Sequence, residues 1–229
     1  MASIEAKLQQ VRQRIAAACA LAQRPVQSVT LLAVGKTFGA DAVREAAAAG
    51  QRAFGENHVQ EALAKIDTLA DLRTGLEWHL IGPLQSNKTR EVAAAFDWVH
   101  SIDRSKTAER LSAQRPAGLA PLQVCLQVNL DGEASKSGVA PGELPALAHA
   151  VAGLPGLRLR GLMSIPAPRE GLEAQREPHR RLRALFEALQ AEGLALDTLS
   201  MGMSDDLEAA VLEGATIVRV GSAIFGSRD

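Results

Sequence analysis

The chain has 229 residues, 47% of them hydrophobic and 22% charged, with a net charge of −1. Such a composition builds a sizeable core, and the near-neutral balance excludes an electrostatic draw toward nucleic acid or an anionic membrane. Aromatic residues make up 3% and tyrosine is absent, which leaves no stacking platform for single-stranded nucleic acid.

Residues 4–22 read as an amphipathic helix, because Ile4, Leu8, Val11, Ile15 and Cys19 recur at helical spacing. Pro25 ends it. Glu5, Lys7, Gln9, Gln10 and Arg12 break up any apolar leader. No signal peptide or membrane span is therefore read there, and a cytoplasmic protein is expected. An alternation follows. Strand-like runs fall at 29–35, 51–54, 76–81, 98–102, 121–130, 157–163, 196–199 and 216–220. Helical patterns fall between them at 41–49, 57–72, 88–96, 105–114, 143–152, 172–192 and 205–212, and a short apolar tail covers 223–225. Eight strands alternating with helices, with no Pro- or Gly-rich linker, predict one domain over 1–229 with a parallel sheet. Eight is the number that closes a (β/α)₈ TIM barrel. An open doubly wound sheet would offer G-x-G-x-x-G after its first strand, and none is present. The extra N-terminal helix is expected to cover one end of the barrel.

In such a barrel, chemistry belongs at the C-terminal ends of the strands. The first strand runs Leu31-Leu32-Ala33-Val34 and leads at once into Gly35-Lys36-Thr37. A lysine at the mouth of a core strand either snorkels to water or presents an amine ready to condense with a carbonyl. The run is no P-loop, since Thr30 stands where that motif needs glycine. The loops after the last two strands supply Ser200-Met201-Gly202-Met203-Ser204 and Gly221-Ser222. Glycines that let backbone amides approach, beside serine hydroxyls, suit a phosphate. Ser204 also has the position of a helix N-cap. Arg219 lies in an apolar strand, either in a buried ion pair with a carboxylate such as Glu208 or pointing into the pocket. His79 reads as a hydrogen-bonded core residue. Arg176, Arg180, Arg181 and Arg183, interleaved with Glu173, Glu177 and Glu187, read as a solvated face. Cys19 and Cys125 read as small buried hydrophobes, and no metal-ligand spacing is found.

The runs LLAVGK at 31–36, FGENHVQE at 54–61, WHLIGPLQSNK at 78–88, SKSG at 135–138, RGLMSIPAP at 160–168, SMGMSDDLEAA at 200–210 and VRVGSAIFGSRD at 218–229 resemble the YggS/PROSC family of pyridoxal 5′-phosphate (PLP) homeostasis proteins. The resemblance covers essentially the whole chain. It implies a single barrel like the N-terminal domain of alanine racemase, with PLP held as a Schiff base on Lys36. It implies further that Ser200, Gly202, Ser204, Gly221 and Ser222 surround the phosphate, that Arg219 faces the pyridine nitrogen, and that Asn57 and Met163 line the ring. Two positions depart from the family's common pattern: Gly35 stands in place of serine, and His58 in place of tyrosine. The implied role is intracellular vitamin B6 homeostasis by a monomer that buffers PLP or supplies it to apo-enzymes, without significant catalysis. A slow PLP-dependent amino-acid racemase or lyase is the alternative, and a cofactor-free Schiff-base aldolase acting on a sugar phosphate is a third reading. Lys136, in SKSG, is a candidate for a transient PLP acceptor, with an ordinary surface lysine as the plainer reading.

Overall fold

A computed structural model describes residues 2–132 and 137–226. Eight parallel strands close into a barrel in sequence order: β1 (Thr30–Val34), β2 (Ala53–Glu56), β3 (Glu77–Leu80), β4 (Trp98–Ile102), β5 (Leu122–Gln127), β6 (Leu157–Met163), β7 (Thr198–Ser200) and β8 (Ile217–Val220). Closure runs through β1 and β8, where Leu32 pairs with Arg219 and Ala33 with Val220. The helices are α1 (Ile4–Leu21), α2 (Ala40–Ala48), α3 (Val59–Thr68), α4 (Thr89–Ala95), α5 (Ser105–Gln114), α6 (Leu144–Ala152), α7 (Leu172–Ala191), α8 (Leu207–Leu212) and α9 (Ser222–Phe225).

The predicted rhythm is present; β4 and β6 match their apolar runs, and β1, β3, β5, β7 and β8 are shorter than theirs. The second strand begins two residues later than predicted, because Gln51 is used otherwise. Its buried side-chain amide donates to Leu31 O and Ala53 O and ties the start of β2 to β1. The helix predicted over 57–72 ends at Thr68 and gives way to a 3₁₀ turn, Ala70–Gly75.

The N-terminal helix does not cap an end of the barrel. It packs against α8, α9 and α2 on the outer wall. The reason lies after β8, where α9 is only 4 residues long and leaves the ring of helices incomplete. The buried stripe of α1 – Leu8, Val11, Ile15, Ala18 and Cys19 – fills that gap. Burying each of the larger side chains there contributes roughly 1.5–3 kcal/mol.

Alternation along each strand sends one set of side chains outward to the helices and the other into the barrel. Leu32, Ala53, Trp98, Cys125, Met163 and Ile217 form an interior cluster of their own. Both cysteines are buried and unpaired. His79, His100, Ser200 and Arg219 are buried beside this apolar cluster and make the barrel interior partly polar. No helix among the described residues is long and apolar enough to cross a membrane.

Candidate functional site

A cavity of about 650 Å³ opens at the C-terminal ends of the strands. Its wall includes Val34, Lys36, Asn57, Ile81, Gln127, Asn129, Ser164, Ser204, Arg219, Gly221 and Ser222. Alternation explains the choice. Leu32 lies inside the barrel, so Val34 does too, and the chain then leaves β1 in a turn that carries Lys36 to the rim.

Lys36 is half-buried and makes no hydrogen bond or ion pair among the described residues. Its neighbours are pinned instead. The buried Lys65 of α3 donates through Nζ to Gly35 O at 2.7 Å and to Glu56 Oε1 and Oε2 at 2.8 and 3.0 Å. It also lies 3.2 Å from Glu61 Oε1. That same Glu61 oxygen accepts from Thr37 N at 2.8 Å. Thr37 has φ = 71°, a left-handed conformation that a β-branched residue adopts only under constraint. The residues before and after Lys36 are thus both held from α3. Burial pushes the Glu56 carboxyl up to about 7, against the hydrogen bond and charge of Lys65. Glycine at 35 has a local reason as well: a Cβ there would lie 2.9 Å from Glu56 Oε1.

Arg219 is buried on the barrel's inner face, and no carboxylate among the described residues is hydrogen-bonded to it. Its Nη1 donates to Ser200 O at 2.7 Å and Ser200 Oγ at 2.9 Å, and Nη2 to Ser164 O at 2.8 Å. Burial lowers its pKa to about 10, opposed by the charges of Asp206 and Cys125. An ion pair with Glu208, one of the two readings of Arg219, does not form, because Arg14 of α1 takes both oxygens of Glu208, at 2.7 and 2.8 Å.

The loop after β7 bends at Gly202, whose φ is +91°, and Gly202 O accepts from Arg219 N at 2.9 Å. Asp206, not Ser204, is the N-cap residue of α8. Its Oδ1 accepts from Met203 N at 2.6 Å, and its Oδ2 lies 2.9 Å from Nε2 of the buried His179. The Ser204 hydroxyl is therefore not spent on capping, and Ser222 Oγ donates to it at 3.1 Å across the cavity wall.

A family model described as "Alanine racemase, N-terminal domain" matches residues 6–229. The pyridoxal phosphate homeostasis protein of Pseudomonas aeruginosa is 61% identical over 229 residues, spanning 100% of this chain and 97% of that one. The chain belongs to the pyridoxal phosphate homeostasis protein family. The member from Escherichia coli K12 is 54% identical over 230 residues, covering 100% of this chain and 98% of its own. PipY of Synechococcus elongatus PCC7942, solved with PLP bound, superimposes with a TM-score of 0.86 at 42% identity, over 98% of this chain and 100% of that one. Alanine racemase of Corynebacterium glutamicum shares the fold, at 20% identity and a TM-score of 0.67 over 96% of this chain and 62% of that one.

Within this family member, Lys36, Asn57, Ser204, Arg219, Gly221 and Ser222 all line the one cavity. Ser200, Gly202 and Met163 do not line it. Ser200 is buried behind Arg219, Gly202 shapes the loop, and Met163 sits in the interior cluster. Asn57 is held by a close approach: a Cβ on Gly82 would lie 2.1 Å from Asn57 O, so only glycine lets that strand end come so near. Lys136 lies outside the described residues. Ser164 and Asn129, at the ends of the sixth and fifth strand runs, also stand in the wall; the buried Ser164 Oγ has no hydrogen-bond partner among the described residues and is a donor and acceptor available to a ligand. Strand alternation would have pointed to Gln127. Nothing local in the sequence marks Lys65 and Glu56 as a pair. The α7 arginines keep an exposed or half-exposed face as read, and three of them, Arg176, Arg180 and Arg183, also converge on the buried Glu213.

Proposed function

We propose that this chain binds PLP on Lys36 and serves as a carrier that buffers the cofactor and supplies it to apo-enzymes, without significant catalysis of its own. The observation that carries this reading is Lys36, an amine with no hydrogen bond or ion pair among the described residues, in one cavity with a buried guanidinium that no carboxylate among those residues hydrogen-bonds. PLP supplies, when bound, an aldehyde that condenses with an amine and a ring that withdraws electrons. The residues present fit it. Ser204, Ser222 and the Gly221 backbone offer hydroxyl and amide donors to a phosphate, and Ser164 Oγ is an open buried hydroxyl.

Arg219 decides what the site can do with the ring. A guanidinium is donor-only and keeps its proton. Facing the ring nitrogen, it would donate to it and leave it unprotonated, and such a ring withdraws electrons weakly. Racemisation also needs a proton-transfer group on each face of the reacting carbon. Among the described wall residues there is no histidine and no lysine besides Lys36, and the chain has no tyrosine. The same reasoning disfavours a lyase. We read the protein as a cytoplasmic monomer whose partners are PLP and PLP-dependent apo-enzymes.

Borohydride reduction of the native protein followed by peptide mass spectrometry tests the attachment. A phosphopyridoxyl group on Lys36 is expected. A sugar phosphate trapped there, or PLP trapped on another lysine alone, would overturn the reading. Deuterium exchange at the α-carbon of several amino acids tests the carrier role, and exchange well above that of free PLP would refute it.

A further inference from the structure

Three buried side chains continue from Arg219 through the barrel. Ser200 Oγ, which accepts from Arg219 Nη1, lies 2.7 Å from His100 Nδ1. His100 Nε2 lies 2.9 Å from His79 Nδ1. His79 Nε2 has no hydrogen-bond partner among the described residues, and the Glu77 carboxylate lies 3.8 Å from it, at the opposite, N-terminal end of β3. Ser200 and His100 are fully buried and His79 is 1% exposed. None of the three lines the cavity.

The donor inventory gives this chain a direction. Arg219 can only donate, so Ser200 Oγ must accept from it. The serine hydrogen then has one acceptor within reach, His100 Nδ1. If His100 Nδ1 carried the proton instead, the serine hydrogen would be buried without an acceptor, which is unfavourable. With Nδ1 accepting, neutral His100 carries its proton on Nε2 and donates to His79 Nδ1. His79 then carries its proton on Nε2 and aims it at the carboxylate of Glu77. The reverse order would turn a bare His79 lone pair toward that carboxylate. A donor-only group at one end and an acceptor-only group at the other therefore select the same order.

We propose that Ser200, His100 and His79 form a one-way hydrogen-bond relay that fixes the rotamer of Arg219 and keeps its remaining N–H groups turned into the cavity. Ser200, His100 and His79 are positioning residues, and the relay's effect on the cofactor rests on the reading that Arg219 faces PLP. The charged groups around the relay are consistent with two neutral rings. His79 stacks at 5.3 Å on Trp98, and the Arg160 guanidinium lies 4.9 Å from the centroid of the Trp98 ring. Burial lowers the pKa of His79, opposed by Glu77 and Asp97. It lowers that of His100 well below the ordinary value, with His79 and Arg219 acting the same way.

The test begins on the protein without added PLP, by long-range ¹H–¹⁵N correlation of ¹⁵N-histidine-labelled protein at neutral pH. His79 and His100 are expected as neutral rings protonated on Nε2, assigned through His79→Phe and His100→Phe. Protonation on Nδ1 in either ring, or a cationic ring, overturns the relay whether or not PLP binds. The second arm measures PLP binding by the visible absorbance of the bound cofactor. His100→Phe, which keeps a ring of similar size, is expected to weaken affinity about tenfold and to move the band or its pH profile, with Lys36 still the residue trapped by borohydride. His149→Phe, on the exposed face of α6, is expected to change neither. An unchanged spectrum and affinity in a folded His100→Phe overturns the positioning role, and failure of the parent to bind PLP at Lys36 overturns the functional reading alone.

Discussion

Replacing Lys65 by methionine tests how the turn that carries Lys36 is held. The Lys65 side chain is 7% exposed and that of Glu56 1%. Removing one partner of a buried pair costs about 3–5 kcal/mol, because the other charge is left without compensation. At about 2–4 °C per kcal/mol for a chain of this size, the melting temperature at pH 8.5 falls by about 6–20 °C. The loss depends on pH in a defined sense. The folded value for Glu56, about 7, lies above its ordinary value of 4.5. Folding therefore favours the protonated acid, and the stability this contributes is full below 4.5 and gone once the pH has risen through about 7. Without the ammonium the folded value rises further. The variant then keeps losing stability above pH 7 while the parent has stopped, at about 1.4 kcal/mol per pH unit, or about 2 kcal/mol by pH 8.5. Urea denaturation of parent and Lys65→Met at pH 5.5 and 8.5 measures the difference. The double variant Glu56→Gln/Lys65→Met, with both charges gone, is expected to recover most of the alkaline loss. An equal destabilisation at both pH values refutes the argument that Lys65 compensates Glu56.

Three further outcomes are expected. Gly202→Ala places a Cβ at φ = +91° and 2.4 Å from Ala210 Cβ; the left-handed penalty and the clash together cost about 2–5 kcal/mol, read by urea denaturation. Burial pushes the Cys125 thiol up to about 12 and also raises that of Cys19, so a chromogenic disulfide reagent at pH 8 should titrate neither thiol in the native protein and both of the 2 cysteines after unfolding. Lys36→Ala removes a side chain with no hydrogen bond among the described residues, so its stability without PLP should stay within about 0.5 kcal/mol of the parent, while borohydride no longer fixes PLP at that position.

The barrel was legible because its signals are local. The apolar runs at 98–102 and 157–163 match β4 and β6 to the residue, since each is bounded by residues of plainly different character. The rim residues Lys36, Asn57, Ser204, Arg219, Gly221 and Ser222 were legible for the same reason: each follows or sits in a strand whose inward register is set by alternation. Ser204 shows the limit of such reading. Its place before an acidic pair looks like an N-cap, yet Asp206 occupies that position because its carboxylate reaches both Met203 N and His179. The His179 contact comes from 27 residues away. Glu208 misled in the same way, since its partner Arg14 lies 194 residues off on the helix that completes the outer ring. His100 gave no signal at all. It is one residue in a five-residue strand, and its role depends on partners in β3 and β7.

The two buried cations are compensated differently, and the difference bears on what the cavity attracts. Lys65 is hydrogen-bonded to both oxygens of Glu56 and sits beside Glu61, so its charge is cancelled where it lies. Arg219 donates to two carbonyl oxygens and one hydroxyl, all neutral, and Asp206 acts on it without a hydrogen bond between them. Neutral acceptors satisfy a guanidinium's hydrogens without removing its charge. In a partly dry cavity that charge is felt over a longer range than in water. The amine of Lys36 opens into the same cavity. Asp131 and Asp205 also border it, but on the loops beyond the ends of β5 and β7, with Asp205 exposed to solvent and Asp131 half-buried. The interior end of the cavity is thus left positive. A ligand that carries a ring acceptor, a phosphate and a carbonyl would meet Arg219 with the first, Ser204, Ser222 and the Gly221 backbone with the second, and Lys36 with the third. Exchanging Arg219 for a neutral residue should therefore weaken binding of a phosphorylated pyridine aldehyde and of its unphosphorylated form to a similar extent, whereas Ser204→Ala should weaken the phosphorylated one more, as an absorbance titration of each would measure.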